Sequence, residues 1–207
     1  RIFDDEDVHH VAGNVDPRYD IEIIDLELIQ ADLQSAEKRL ERTERDSKGG
    51  DKAILAERDV LRKIVPVLQG GKPARSVDLT AEEQAAAKTL HLLTMKAVLY
   101  ILNKKSGAVN IDAENGPRWR ELKDFLESNK AQYVVVDAGV ENELGDVHGD
   151  DKQVFRRELG VSDDGINALI KGGYELLNLI SFLTTGEKES RAWTIKRGSK
   201  APEAGAA

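Results

Sequence analysis

Met95-Lys-Ala-Val-Leu-Tyr-Ile-Leu-Asn-Lys-Lys-Ser-Gly107 holds a continuously apolar run, Ala97 to Leu102, that is partly β-branched or aromatic and breaks off into polar residues. A strand covered on both faces by helices has this composition, because neither side of its pleat meets water. Downstream, Pro117 to Ser128 reads as a helix with proline in its first turn. Tyr133-Val-Val-Val136 is a second apolar strand, ending in Asp137-Ala-Gly139. Strand, helix, strand predicts a parallel pair, since parallel neighbours need a crossover between them. Two further helices are expected near 150–158 and 164–183, followed by a short strand at Arg191-Ala-Trp-Thr-Ile195 and a tail of small residues, 201–207.

Upstream of this region the texture is helical. Asp20 to Arg45 contains neither Gly nor Pro and repeats apolar residues at helical spacing, among them Ile21, Ile24, Leu28, Leu33, Ala36 and Leu40. Lys48-Gly-Gly-Asp51 supplies a helix stop and then a helix-starting Asp. Ile54, Leu61, Ile64, Val65 and Leu68 line one face of a second helix, so the two form an antiparallel hairpin. Thr80-Ala-Glu-Glu83 has the form of a capping box opening a third helix that runs to about Leu90. The expected fold class is α/β with an all-α insertion.

With no cysteine, thiolate metal sites, disulfides and cysteine nucleophiles are excluded. No apolar run reaches the roughly 18 residues a membrane-spanning helix needs, and no signal peptide is visible, so a cytoplasmic setting is expected. The chain opens on Arg1 and closes in a small-residue tail, which is read as a piece of a longer protein. Charge is uneven: residues 1–37 carry 11 acids and 2 bases, whereas 38–63 carry 6 acids and 9 bases. Only that middle block could attract phosphates, and with no aromatic among Lys38, Arg39, Arg42, Arg45, Lys48, Lys52, Arg58, Arg62 and Lys63 it cannot stack bases. A solvated helical hairpin is the plainer reading.

In open α/β sheets ligands sit at the carboxyl ends of parallel strands, where Asn103-Lys104-Lys105-Ser106 and Asp137-Ala138-Gly139 fall. In GTPases an Asn-Lys-x-Asp stretch at this point ties two loops together through Asn, covers a base with the Lys stem and accepts base protons on Asp. Here the fourth residue is Ser106, a hydroxyl rather than a charged bidentate acceptor. Asp4-Asp-Glu-Asp7-Val-His-His10 reads as a solvated acidic loop, lacking the spacing of a metal site. Trp119 and Trp193 are expected as core anchors, and Gly172-Gly173 as a place of close helix packing. No Gly-x-x-x-x-Gly-Lys-Ser/Thr occurs, so the phosphate-binding half of a nucleotide site is not in this sequence.

Several long runs together resemble the YchF-type Obg-like ATPases of the GTPase superfamily. They are Arg1-Ile-Phe-Asp-Asp-Glu-Asp-Val-His-His-Val-Ala-Gly-Asn-Val-Asp-Pro17, Asp20 to Leu28, Lys48 to Lys52, Pro66-Val-Leu68, Gly165 to Leu179 and Phe182 to Ile195. The resemblance implies a partial P-loop NTPase G domain carrying a helical coiled-coil domain. Its expected parts are a G-domain segment at 1–16, the coiled-coil insertion at 17–90, the C-terminal half of the G domain at 91–187 and the start of a TGS domain at 188–207. It further implies ATP, or GTP, with Mg²⁺ in the full-length protein, association with ribosomes, and neither membrane nor DNA as partner. Carried over by position, Asn103, Lys104 and Ser106 match the base-specificity motif, which in the family reads Asn-x-x-Glu, and Ala138 and Gly139 match the loop packed on the base. Ser106 replaces the family's Glu and Lys104 is closer to ordinary GTPases. Ile2 and Asp137 stand where many relatives carry Cys.

No residue here is expected to be catalytic or to bind metal, and the isolated chain is expected to be inert. A non-enzymatic helical RNA- or ribosome-binding scaffold using the basic hairpin, and a GTPase with relaxed base specificity, stand as alternatives.

Overall fold

The longest gap-free helical pattern becomes a 30-residue helix, α1 (Pro17–Asp46). The computed structural model describes residues 1–5, 15–113, 115–147, 150–159, 165–187 and 189–205. These form two compact units, Arg18–Ala97 and Arg1–Pro17 with Val98–Ala207.

In the helical unit, α1 turns at Ser47–Gly49, where Gly50 takes φ +75°, a left-handed conformation that residues with a Cβ resist. Asp51 then caps α2 (Lys52–Gln69), its carboxylate accepting from the N–H of Ala53 at 2.8 Å and Ile54 at 3.4 Å. Ile29 and Ala36 of α1 pack with Val60, Leu61, Ile64, Val65 and Leu68 of α2, an i, i+3/i+4 face now removed from water. The expected capping box is present. Thr80 Oγ1 accepts from Glu83 N–H, Glu83 accepts from Thr80 N–H at 3.0 Å, and α3 (Ala81–Lys88) begins there.

The way back out of this unit is fastened by a residue that its sequence position does not advertise. Asp32 lies on the buried side of α1, 3% exposed. Its carboxylate accepts from Leu93 N–H (2.7 Å), Thr94 N–H (2.7 Å) and Thr94 Oγ1–H (2.6 Å). These close the amino end of a single 3₁₀ turn, Leu93–Met95. Thr94 Oγ1 in turn accepts from Ala74 N–H at 2.9 Å.

In the other unit a short strand, β1 (Phe3–Asp4), pairs antiparallel with β3 (Val109–Asn110). The apolar runs form β2 (Leu99–Asn103) and β4 (Gln132–Val136), which pair in parallel with Asn103 opposite Val136, so both strands end level. Between them α4 (Pro117–Ser128) buries Leu122 and Leu126. After β4 come α5 (Ala138–Glu143), α6 (Asp150–Glu158) and α7 (Gly165–Leu176). Glu141 on α5 accepts from Arg156 at 3.0 Å and from Gly165 N–H at 2.9 Å, a buried ion pair that fastens the helices following β4 to one another. Helix α7 packs on β2 and β4 at Gly172, where a Cβ would come within 3.1 Å of Val134 Cγ1 and 3.4 Å of Leu99. The close approach expected of Gly172 is therefore real, whereas a Cβ on Gly173 would meet nothing.

Two expectations need correction. The helix expected over 164–183 ends at Leu176, because Asn178 adopts φ +54° and the β-branched and aromatic run that follows forms β5 (Leu179–Thr185). That strand pairs antiparallel with β6 (Ser190–Lys196), and residues 187 and 188 lie between the two strands. Trp119 and Trp193 are only half-buried. Trp193 donates its indole N–H to Thr184 Oγ1 at 2.8 Å and carries the Arg191 guanidinium 4.4 Å from its ring, an exposed hairpin decoration rather than a core anchor. The chain closes with one turn of helix, α8 (Ala201–Ala204). Among the described residues no helix is long and apolar enough to cross a membrane.

Candidate functional site

The level ends of β2 and β4 bring the two expected loops side by side. Asn103, the last residue of β2, accepts on Oδ1 from the N–H of Ala138 at 3.0 Å, so its amide ties one loop to the other. Backbone continues the link, Lys104 N–H donating to Val136 O at 2.9 Å. Asn103 and Lys104 are half-buried, while Ser106, Ala138 and Gly139 are exposed. All five residues singled out from sequence therefore lie in one pair of adjacent loops.

Asp137 holds the two loops from beneath. It is 5% exposed and caps α5, its Oδ1 accepting from Val140 N–H at 3.1 Å. Its Oδ2 accepts from Ser106 N–H at 2.6 Å and from Ser106 Oγ–H at 2.7 Å. Burial opposes the charged form, but the hydrogen bonds from Ser106, Val140 and Gly139 outweigh it and hold the carboxyl below its ordinary value. The sequence reading placed Asp137 in the loop without giving it a contact. The available signal was an Asp directly after a strand and three residues before Val140, which is N-cap spacing.

One more residue shapes the loop and was not singled out. Asn110 accepts from Lys105 N–H at 3.0 Å and donates to Lys105 O at 2.8 Å and Ala108 O at 3.0 Å, which braces the turn after β2. Its place on β3 next to β1 brings the start of the acidic stretch alongside. Asp5 pairs with the Lys105 ammonium and Asp4 with Arg118 at 2.9 Å. The rest of that stretch, Glu6 to His10, lies outside the described residues. Among the described residues no group of three or more His, Asp or Glu is arranged to hold a metal ion.

The basic block of the helical unit is largely matched by acids. Arg39 pairs with Glu57, Arg42 with Asp46, Arg45 with Glu41, Arg58 with Asp59, Arg62 with Glu44 at 2.8 Å and Lys63 with Glu83. Each exposed pair is worth little to stability, yet together they offset the positive field that a phosphate backbone would need.

The chain is 42% identical over 203 residues to the "Ribosome-binding ATPase YchF" of Bacillus subtilis (strain 168), covering 98% of this chain and 55% of that protein. It is 40% identical over 205 residues to the protein of the same name from Escherichia coli O157:H7, covering 99% and 55%. The solved "Structure of the Schizosaccharomyces pombe YchF GTPase" superimposes with a TM-score of 0.78 at 29% identity, over 98% of this chain and 55% of that one. The chain belongs to the YchF family. Residues 179–207, which begin at β5, match the family YchF-GTPase_C, described as "Protein of unknown function (DUF933)". The chain spans about half the length of the curated family members it matches.

Proposed function

We propose that this chain supplies the base-recognition loops and the helical arm of a ribosome-associated, nucleotide-hydrolysing protein. The observation that carries the reading is the Asn103–Ala138 tie between two loops at the carboxyl ends of adjacent parallel strands, the place where such sheets hold ligands. The names of its relatives, ribosome-binding ATPase and GTPase, support it. In this reading the chain is part of a P-loop G domain. Residues 17–90 are the family's coiled-coil insertion, and 188–207 begin a TGS domain. The protein works in the cytoplasm on ATP, or on GTP if Ser106 relaxes the choice of base, and needs neither membrane nor DNA.

What these residues do is bind and orient. The Asn103 amide fixes the spacing of the loops, Lys104 offers its stem to one face of a purine, and the exposed backbone of Ala138 and Gly139 offers the opposite wall. Mg²⁺, when bound with the nucleotide, supplies charge stabilisation at the phosphates. In this reading the ion sits with the phosphate-binding segments of the full-length protein, and none of the residues named here is assigned to it. The chain by itself is inert in hydrolysis.

Ribosome co-sedimentation of the full-length protein tests this reading. Binding should depend on the nucleotide present and should lose that dependence in Asn103→Ala. Binding that ignores nucleotide and is abolished by salt, or by reversing Arg39, Arg42 and Arg45, would instead make the protein a scaffold.

A further inference from the structure

The fourth position of the base-reading loop holds a hydroxyl, and the structure shows what that hydroxyl is doing. An ionised carboxylate can only accept, so with Asp137 Oδ2 2.7 Å from Ser106 Oγ the hydroxyl proton points at Asp137. Ser106 N–H converges on the same oxygen at 2.6 Å, which fixes the main chain and leaves no free rotor. With its proton so committed, Ser106 Oγ has only lone pairs left to offer, and Ser106 is exposed beside exposed Ala138 and Gly139.

We propose that Asp137 is a specificity-determining positioning residue: by taking the Ser106 proton it makes Ser106 an obligate acceptor, and the pair selects a purine bearing an exocyclic amino group. This deepens the nucleotide reading above and rests on it. A free serine hydroxyl could turn to donate to a base oxygen or ring nitrogen as readily as accept from an amine. Here donation would require giving up a charge-assisted bond to a buried carboxylate, so base edges that present acceptors are disfavoured. The negative charge lost from position 106 is thereby recovered one loop away, with the hydroxyl as its contact atom. The low carboxyl affinity of Asp137 for protons keeps this polarity through neutral pH.

The amino group could be N6 of adenine or N2 of guanine, and paired analogues distinguish them. The full-length protein is titrated with ATP against purine riboside triphosphate, which lacks N6, and with GTP against inosine triphosphate, which lacks N2. Wild type should bind the amino-bearing member of one pair about tenfold more tightly than its partner lacking that amino group, the size of one charge-backed hydrogen bond. Asp137→Asn keeps an N-cap oxygen for α5 but can turn a donor towards Ser106, and Ser106→Ala removes the contact atom. Both variants should bring the ratio close to one, with inorganic triphosphate competing as well as it does on wild type. A wild-type ratio near one in both pairs, or a ratio that survives in both variants, overturns the proposal while leaving nucleotide binding intact. Failure of the wild type to bind any of the four nucleotides overturns the nucleotide reading and this proposal with it.

Discussion

Replacing Asp32 by alanine removes three acceptor contacts at once, to Leu93 N–H, Thr94 N–H and Thr94 Oγ1–H, all between 2.6 and 2.7 Å. A hydrogen bond to a charged group contributes about 1.5–3 kcal/mol net, but contacts sharing one carboxylate do not add. The variant also leaves the buried Thr94 N–H without its acceptor, while alanine recovers roughly 0.5 kcal/mol of helix propensity in α1. The balance is a loss of about 3–4 kcal/mol, a large share of the roughly 5–15 kcal/mol that a domain commands. With a urea slope of about 1.5 kcal/mol per molar, the midpoint should fall by about 2–2.7 M. Asp32→Asn keeps one carbonyl acceptor and turns an amide donor onto a donor, so about half that loss is expected. Urea unfolding followed by far-UV circular dichroism reports the helices of both units, α1 to α3 contributing the larger share. Trp119 and Trp193 both lie in the other unit, and their fluorescence follows that unit separately. A loss below about 1 kcal/mol for the alanine variant would refute the idea that Asp32 fastens the 93–95 turn.

Gly172→Val should cost about 1–3 kcal/mol, since its side chain must displace Val134 and Leu99, whereas Gly173→Ala, meeting nothing, should gain about 0.5–1 kcal/mol; thermal unfolding of the two variants gives the signs. Thr80→Ala removes the side-chain half of the capping box and should lower stability by about 1 kcal/mol in denaturant titration, whereas Glu83 should stay below its ordinary carboxyl value, held there mainly by Lys63 and then by the residue-80 N–H, both of which the variant keeps. Because the folded-state affinity of Asp137 for protons is depressed, its contribution to stability is present above the unfolded value of about 3.9 and is lost as pH falls through the lower folded value. A carbon NMR titration of its carboxyl should accordingly show a midpoint under 3.9, and a midpoint at or above it would contradict the hydrogen-bond account.

Much of this architecture could be read from the residues because it rests on local patterning. The apolar faces of α1 and α2, the Asp51 and Thr80 caps, and the strands around Leu102 and Val136 each follow from spacings inside a few turns of chain. The error at 177–185 is equally local in origin. Leu176, Leu177 and Ile180 continue a helical spacing, and only the left-handed backbone at Asn178 and the partner strand β6 turn that run into a strand. What was not legible depends on distance along the chain. Asp32 meets Thr94 across 62 residues, and Asp137 meets Ser106 across 31. Nothing local marks Asp32 as a clamp, and the N-cap spacing of Asp137 points to Val140 but not to Ser106. In the site, Asn103 could be recognised by its place after a strand, while Asp5 and Asn110 act only because β1 lies against β3.

The account stands or falls on whether the loops at 103–106 and 137–139 read a base. An equilibrium titration of the full-length protein with fluorescent ATP and GTP analogues, repeated with Asn103→Ala, tests this directly. The account predicts binding that weakens by at least about tenfold in the variant, with inorganic triphosphate bound as well by both proteins. Equal nucleotide affinity in wild type and variant would contradict it.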